Sequence, residues 1–566
     1  MTEARKPGWQ WWQKLALAAA VLLFTAVAVL IGCRKPWIEP LPGVRVAMTR
    51  PFVKESGLGP GSAYRLLLQA IEEPAEATTI RQARDEWDWS NRYGGGGWQN
   101  ALTKLELHPW PDEPSSPVLE APDPGPRSET DRVEEERRAT AVARAKADLR
   151  AMGADPQDES GLRAMGSSLE DLLPPKPPPA AIRTSWTSGQ CQDILRLREL
   201  YRPQIALLDR ALAAPNPQVP TGDSIEFLLP YLAPVGVLGQ WLAVSAQIRA
   251  GEGDHAGALQ DLERLMGMGD IVSRGGALLG HVVCRHQGAF AADAAWWIAR
   301  REGLPSPFLL QMARSFWDHA DGAEPYVEAA RAEALVFINI VPRAYRTGNF
   351  HDIFTWGGPP SRSSRPTALL ASSLGSTPRA STRNIQSCYQ HLVAIAEKPY
   401  CAATEAEYAA FEARFPHWPF QFSLWDSLRV RDPLGYTLAC QLFPVSCLGL
   451  GHAGAAVHDA RLRGMALFLA IKAYEKERGA LPERLAQLVP DYLPRVPKDP
   501  FDGKPFRYLR SGVPGLPPKA WAVYSIGGDF TDDGGKARNA GTTDDDRGPN
   551  PDLVWPSQPY PKPSEP

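Results

Sequence analysis

The chain has 566 residues and a formal net charge of −3, from 61 lysines and arginines against 64 aspartates and glutamates. That length exceeds one ordinary core, and so balanced a charge excludes both a global basic field for nucleic acid and an acidic solvating polymer. The 55 prolines imply long non-helical connections, while 18 tryptophans argue against wholesale disorder.

The first element is an almost unbroken apolar run from Leu15 to Cys33, which at about 1.5 Å per residue spans the hydrocarbon of a bilayer. Trp9, Trp11 and Trp12 precede it and Trp37 follows, where indoles suit the headgroup region. Arg5, Lys6 and Lys14 lie before it and Arg34 and Lys35 after it, so the positive-inside bias is slight. Residues 1–14 are read as a cytoplasmic tail and 15–33 as a transmembrane anchor. The bulk then lies outside a bacterial inner membrane. Leu30-Ile31-Gly32-Cys33 resembles a lipobox, which leaves a lipoprotein anchored through Cys33 as the alternative. Cys191, Cys284, Cys388, Cys401, Cys440 and Cys447 fit either three disulfides or six ordinary core positions.

Residues 34–185 read as a Pro-rich spacer with isolated helices, among them a charged, solvated one from Asp131 to Met152. The Gly94–Gly97 tract lacks the Lys-Ser/Thr of a phosphate loop. Residues 186–450 show helical apolar spacing and predict an irregular helical bundle or solenoid. Leu238, Trp241, Leu242 and Ala246 line one helix; Ala258, Leu259, Leu262, Leu265 and Met266 line the next, after a break at Gly251-Glu252-Gly253 and an N-cap at Asp254. His281 and Cys284 in GHVVCRH sit one turn apart, as two metal ligands would, but His286 lies around the helix and no carboxylate adjoins them; packing or solvated positions are the preferred reading. Residues 347–382 read as an exposed loop, with helical patterning resuming near Ile385 and again from His458. No G-x-S-x-G or H-E-x-x-H arrangement occurs, which argues against an enzyme.

Residues 451–556 form a distinct series, followed by a tail, 557–566. A helix through Leu462, Met465, Ala466, Leu469, Ala473 and Tyr474 leads to Gly479-Ala480-Leu481-Pro482, the short PERLAQLV segment and DYLPRVPKDPFDGKPFRYL. WAVYSIGGDFTDDGG and the closing Asp552-Leu553-Val554-Trp555 complete it. The series resembles the C-terminal globular domain of the major pseudopilin of type II secretion systems. The resemblance implies a helix packed on a small antiparallel sheet, with a calcium-binding loop. Its ligands map onto Asp529, Asp532 or Asp533, and Asp552. Seven aspartates between 529 and 552 face only Lys536, Arg538 and Arg547, and such crowding is unfavourable without a compensating cation or solvent. Calcium, with six to eight oxygen ligands in flexible geometry, is one compensator; a solvated, metal-free loop is the other reading. The insertion KARNAGTTDDDRGPNP departs from the family pattern, as does the absence of a processed prepilin start.

The expected fold class is therefore mainly α, with a helical body, a small α+β C-terminal domain and one N-terminal transmembrane helix. The expected function is that of an envelope structural or binding protein, partnered by the membrane and by another envelope protein rather than by nucleic acid. An extracytoplasmic hydrolase with a site in the helical body is the alternative.

Overall fold

The computed structural model describes residues 39–46, 58–71, 195, 198–199, 201–214, 229–274, 278–347, 377–413, 432, 445–536 and 552–558. The expected anchor at 15–33, nearly all of the spacer and the insertion carrying Asp544 to Asp546 lie outside them. Among the described residues no helix is long and apolar enough to cross a membrane. Those residues contain ten α-helices and one three-stranded sheet, and are mainly helical.

The helices are α1 (Ala63–Ile71), α2 (Arg202–Leu212), α3 (Leu229–Gly251), α4 (His255–Ser273), α5 (Leu278–Ala299), α6 (Ser306–Asp321), α7 (Tyr326–Thr347), α8 (Pro378–Ala396), α9 (Ala402–Glu412) and α10 (Val445–Arg478). The strands are β1 (Arg507–Leu509), β2 (Ala522–Ser525) and β3 (Leu553–Pro556). The chain divides into two compact units: residues 1–46, 337–394 and 409–447 in one, and 47–336, 395–408 and 448–566 in the other.

The larger unit is built around the α3–α4 hairpin that the apolar spacing predicts. Leu238, Trp241, Leu242 and Ala246 are buried on α3, as are Ala258, Leu262, Leu265 and Met266 on α4, while Leu259 is half-buried. Gly253, at φ +85°, makes the reversal, and Asp254 caps α4 by accepting the Gly257 N–H at 3.0 Å. A buried carboxylate ties the hairpin to α2 and the segment before it. Asp261 accepts from Ser245 Oγ (2.7 Å), Arg198 (2.9 Å), Arg249 (3.3 Å) and Arg264 (2.7 Å), and Arg264 also pairs with Asp209. Such a charge is tolerable inside only because it is paired and hydrogen-bonded throughout.

The helix of the C-terminal series begins earlier than the sequence implies. Helical patterning is expected from His458, but α10 starts at Val445 and crosses the expected boundary at 450/451 without a break. Gly449, Gly451 and Gly454 interrupt the apolar pattern there, and the last two sit where a side chain would meet a neighbour. A Cβ at Gly451 would lie 2.5 Å from Leu278, and one at Gly454 1.4 Å from Arg285. Farther along, Leu462, Met465, Ala466, Leu469 and Ala473 are buried, with Phe468 against Trp521 at 5.2 Å between ring centroids. Gly464 leaves room for the Trp555 ring. The sheet, in order β1-β2-β3, is antiparallel throughout, with Val523 opposite both Tyr508 and Trp555. Ser306 at the start of α6 donates to Ala473 O (3.2 Å) and Glu477 (2.7 Å), and Trp296 of α5 donates to Pro556 O at 2.9 Å. The C-terminal series is thereby packed onto the helical body within one unit.

In the smaller unit the expected loop 347–382 ends early, because α8 begins at Pro378. Thr377 accepts the Ala380 N–H through Oγ1 at 3.2 Å, and proline at the first helical position loses no hydrogen bond. Ser381, expected in that loop, is fully buried and donates to Asp432 at 2.7 Å.

Candidate functional site

The loop after β2 is set by backbone chemistry before any side chain is considered. Gly527, Gly534 and Gly535 all adopt positive φ, and so does Phe530 at φ +58°, a conformation uncommon for an aromatic residue. The Phe530 ring lies 5.7 Å from Tyr400 and 6.2 Å from Phe501, which holds the strained residue in place. Asp529 accepts the Thr531 N–H (3.0 Å) and Asp532 accepts the Gly534 N–H (3.1 Å), so each carboxylate turns the chain two residues on.

Asp552, at the start of β3, is buried and reaches back into this loop. Its two oxygens accept the Gly535 N–H at 2.6 Å and the Asp533 N–H at 3.3 Å. Burial, reinforced by the charges of Asp532 and Asp533, pushes its pKa up to about 6 despite those two donors. Of the four residues singled out by sequence, Asp532, Asp533 and Asp552 thus fall within each other's electrostatic reach. The Asp529 carboxylate instead serves its own turn. Among the described residues no group of three or more His, Cys, Asp or Glu side chains is placed to hold a metal ion.

A compensating charge that the sequence reading missed is Arg507 on β1. Its guanidinium donates to the buried Asp499 (2.8 Å), to Asp502 (3.3 Å) and to Asp532 (3.4 Å). Asp499 also accepts from Phe501 N (3.1 Å), Ser525 Oγ (2.9 Å) and Ile526 N (3.0 Å), which fastens the DPFDG turn to the end of β2. Burial raises the Asp499 pKa against these donors. Only an aspartate in a D-P-x-D-G turn followed by an arginine hinted at the network, and nothing in the spacing named its β2 partners.

On α5, His281 and Cys284 are buried and His286 is exposed. The Cys284 Sγ lies 3.9 Å from His458 Nε2 of α10, a neighbour 174 positions away. Burial lowers His281 to about 4 and His458 to about 3 and raises the Cys284 thiol, so all three are neutral near pH 7.

A cavity of about 510 Å³ opens among α2, α4 and α6, within the range of small-ligand sites. In it His319 Nδ1 and Asp270 Oδ2 lie 2.6 Å apart, both side chains about one-fifth exposed. Ser315, at 9% exposure, lines the same cavity one helical turn before His319, together with Arg274 and the exposed Glu263 and Asp318. Nothing in the sequence joins positions 270 and 319.

No family model matches the chain, and neither a curated protein nor a solved structure shows significant similarity to it.

Proposed function

We propose that the chain is a membrane-anchored structural or binding protein of the bacterial envelope, whose helical body engages a protein partner and whose C-terminal domain is a pseudopilin-like, calcium-stabilised cap. The observation that carries the calcium part is Asp552. A buried carboxylate, destabilised in its charged form by Asp532 and Asp533, is relieved by a nearby cation, and its two N–H contacts leave about half of its lone-pair sites open. The ion would be held by the carboxylates of Asp529, Asp532, Asp533 and Asp552, with carbonyls of the glycine-rich loop, and would supply the positive charge that Arg507 provides only in part. The Asp529 side chain would have to leave its turn to join them. The helix-on-sheet arrangement of 445–556 is what the pseudopilin resemblance implies and supports that reading. The anchor rests on the Leu15–Cys33 run.

Hydrogen exchange of the full chain in detergent tests the calcium part. With free calcium a hundred times the dissociation constant, linkage adds about 2.7 kcal/mol to the states that bind it. Amides of 526–536 are expected to exchange more slowly with calcium than with chelator, and Asp552→Asn to remove most of the difference. Identical exchange in calcium and chelator refutes the cap.

A further inference from the structure

The cavity among α2, α4 and α6 brings a hydroxyl, an imidazole and a carboxylate together in an order that chemistry can use. We propose that it is an acyl-transfer site for small carboxylic esters bearing a cationic group, with Ser315 as nucleophile, His319 as general base, Asp270 as the group that orients the imidazole and Arg274 as the oxyanion stabiliser. The inference is independent of the calcium reading, since none of these residues belongs to the C-terminal loop.

The argument begins with the imidazole. Its Nδ1–H donates to Asp270 Oδ2 at 2.6 Å, which fixes the tautomer and leaves Nε2 as the basic nitrogen. Ser315 is the i−4 neighbour of His319 on the same face of α6, and both side chains line the cavity. Ser315 is nine-tenths buried and borders the cavity, yet among the described residues its hydroxyl takes no hydrogen-bond partner. That hydroxyl is not sealed from solvent, so a ligand in the cavity can reach it. No Ser315–His319 hydrogen bond is formed at rest, as is common before substrate binds.

Arg274 terminates α4 and is half-buried beside the cavity, with no ion pair among the described residues. Its charge is thus available to an oxygen that becomes negative, whereas Arg264 is already committed to Asp209 and Asp261. Glu263 and Asp318 stand exposed at the cavity edge and favour a cationic substituent on the ester. In the reaction, Nε2 takes the Ser315 proton as Oγ bonds to the ester carbon. It returns the proton to the leaving alkoxide as the ester C–O bond breaks. Water then repeats the sequence on the acyl-serine, releasing the carboxylic acid and restoring the hydroxyl.

A fluorophosphonate probe and acetylcholine, applied to the detergent-purified full chain, test the assignment. The expected adduct sits on the tryptic peptide that begins at Ser315, after Arg314. Ser315→Ala is expected to abolish both adduct and ester hydrolysis at an unchanged melting midpoint, and His319→Ala to slow labelling about 100-fold or more. Should His319→Ala fail to fold, Asp270→Asn is expected to slow labelling while preserving side-chain shape. Acetylcholine is expected to react faster than an ester of similar length ending in a carboxylate. The assignment is overturned by no adduct, by an adduct at another residue, or by labelling equally fast without His319 or with Asn at 270; the reverse order of the two esters overturns the substrate class.

Discussion

Glu333 on α7 shows how one residue can reverse the usual acid dependence of stability. Its Oε2 accepts the Leu278 N–H at 3.0 Å, at the first turn of α5. A helix N-terminus ordinarily favours a carboxylate, yet burial outweighs that donor and moves the pKa from 4.5 to about 7. The fold therefore prefers the protonated acid. Its contribution is fully present below pH 4.5 and is lost as pH rises toward 7, up to about 3 kcal/mol in all. Glu333→Gln retains a carbonyl acceptor for Leu278 but cannot ionise. The variant is expected to match the parent below pH 4.5 and to exceed it above pH 7, by denaturant unfolding across that range. A parent stability that does not fall relative to the variant over this window would show that burial does not control the group.

At the scale of elements, the loop from β2 toward β3 depends on backbone conformations that few side chains tolerate. Gly535 has φ +79°, and a Cβ there would lie 2.6 Å from Leu509 Cδ1 and 3.3 Å from the Tyr524 ring. The left-handed conformation alone costs an alanine about 1–2 kcal/mol, and displacing Leu509 disturbs the small cluster of Val513, Ala520 and Ala522 that it covers. The Gly535 N–H is also the closer of the two that hold Asp552. Gly535→Ala is expected to lower the urea midpoint by the equivalent of about 2 kcal/mol without changing the slope. A midpoint equal to the parent's would mean that the loop bends elsewhere.

At the scale of the whole molecule, the C-terminal series behaves as part of a larger unit. Helix α10 packs its sheet with one part and the helical body with another: Gly288 of α5 admits the His458 ring, and Gly454 admits Arg285. The contacts of Ser306 and Trp296 add polar ties between the same two parts. A fragment beginning at Ala453 would leave the body-facing side of α10 in water, where its burial no longer contributes about 25 cal/mol per Å². Such a fragment is therefore expected to melt below the corresponding transition of the full chain, as followed by circular dichroism. Equal melting temperatures would show that the series folds as a separate domain.

Elements whose cause is local can be read from the chain alone. The α3–α4 hairpin was legible because Gly253 and Asp254 punctuate two runs of helical apolar spacing, whereas a helix with a small antiparallel sheet in 451–556 was what the family resemblance implied. Patterning failed where side-chain size answered to a distant neighbour. Gly451 and Gly454 look like helix breakers in sequence, but α10 runs through them, with Leu278, Tyr326 and Arg285 occupying the space a Cβ would need. The same holds for the candidate sites. Clustered aspartates at 529–533 announced an acidic loop, since they are adjacent in the chain. Arg507 as the partner of Asp499 and Asp532, and the meeting of Asp270 with His319 beside Ser315, were decided only by tertiary structure. Hydrogen bonds between groups 25 or 49 positions apart leave no period in the sequence, because their geometry exists only once the helices and strands that carry them have packed.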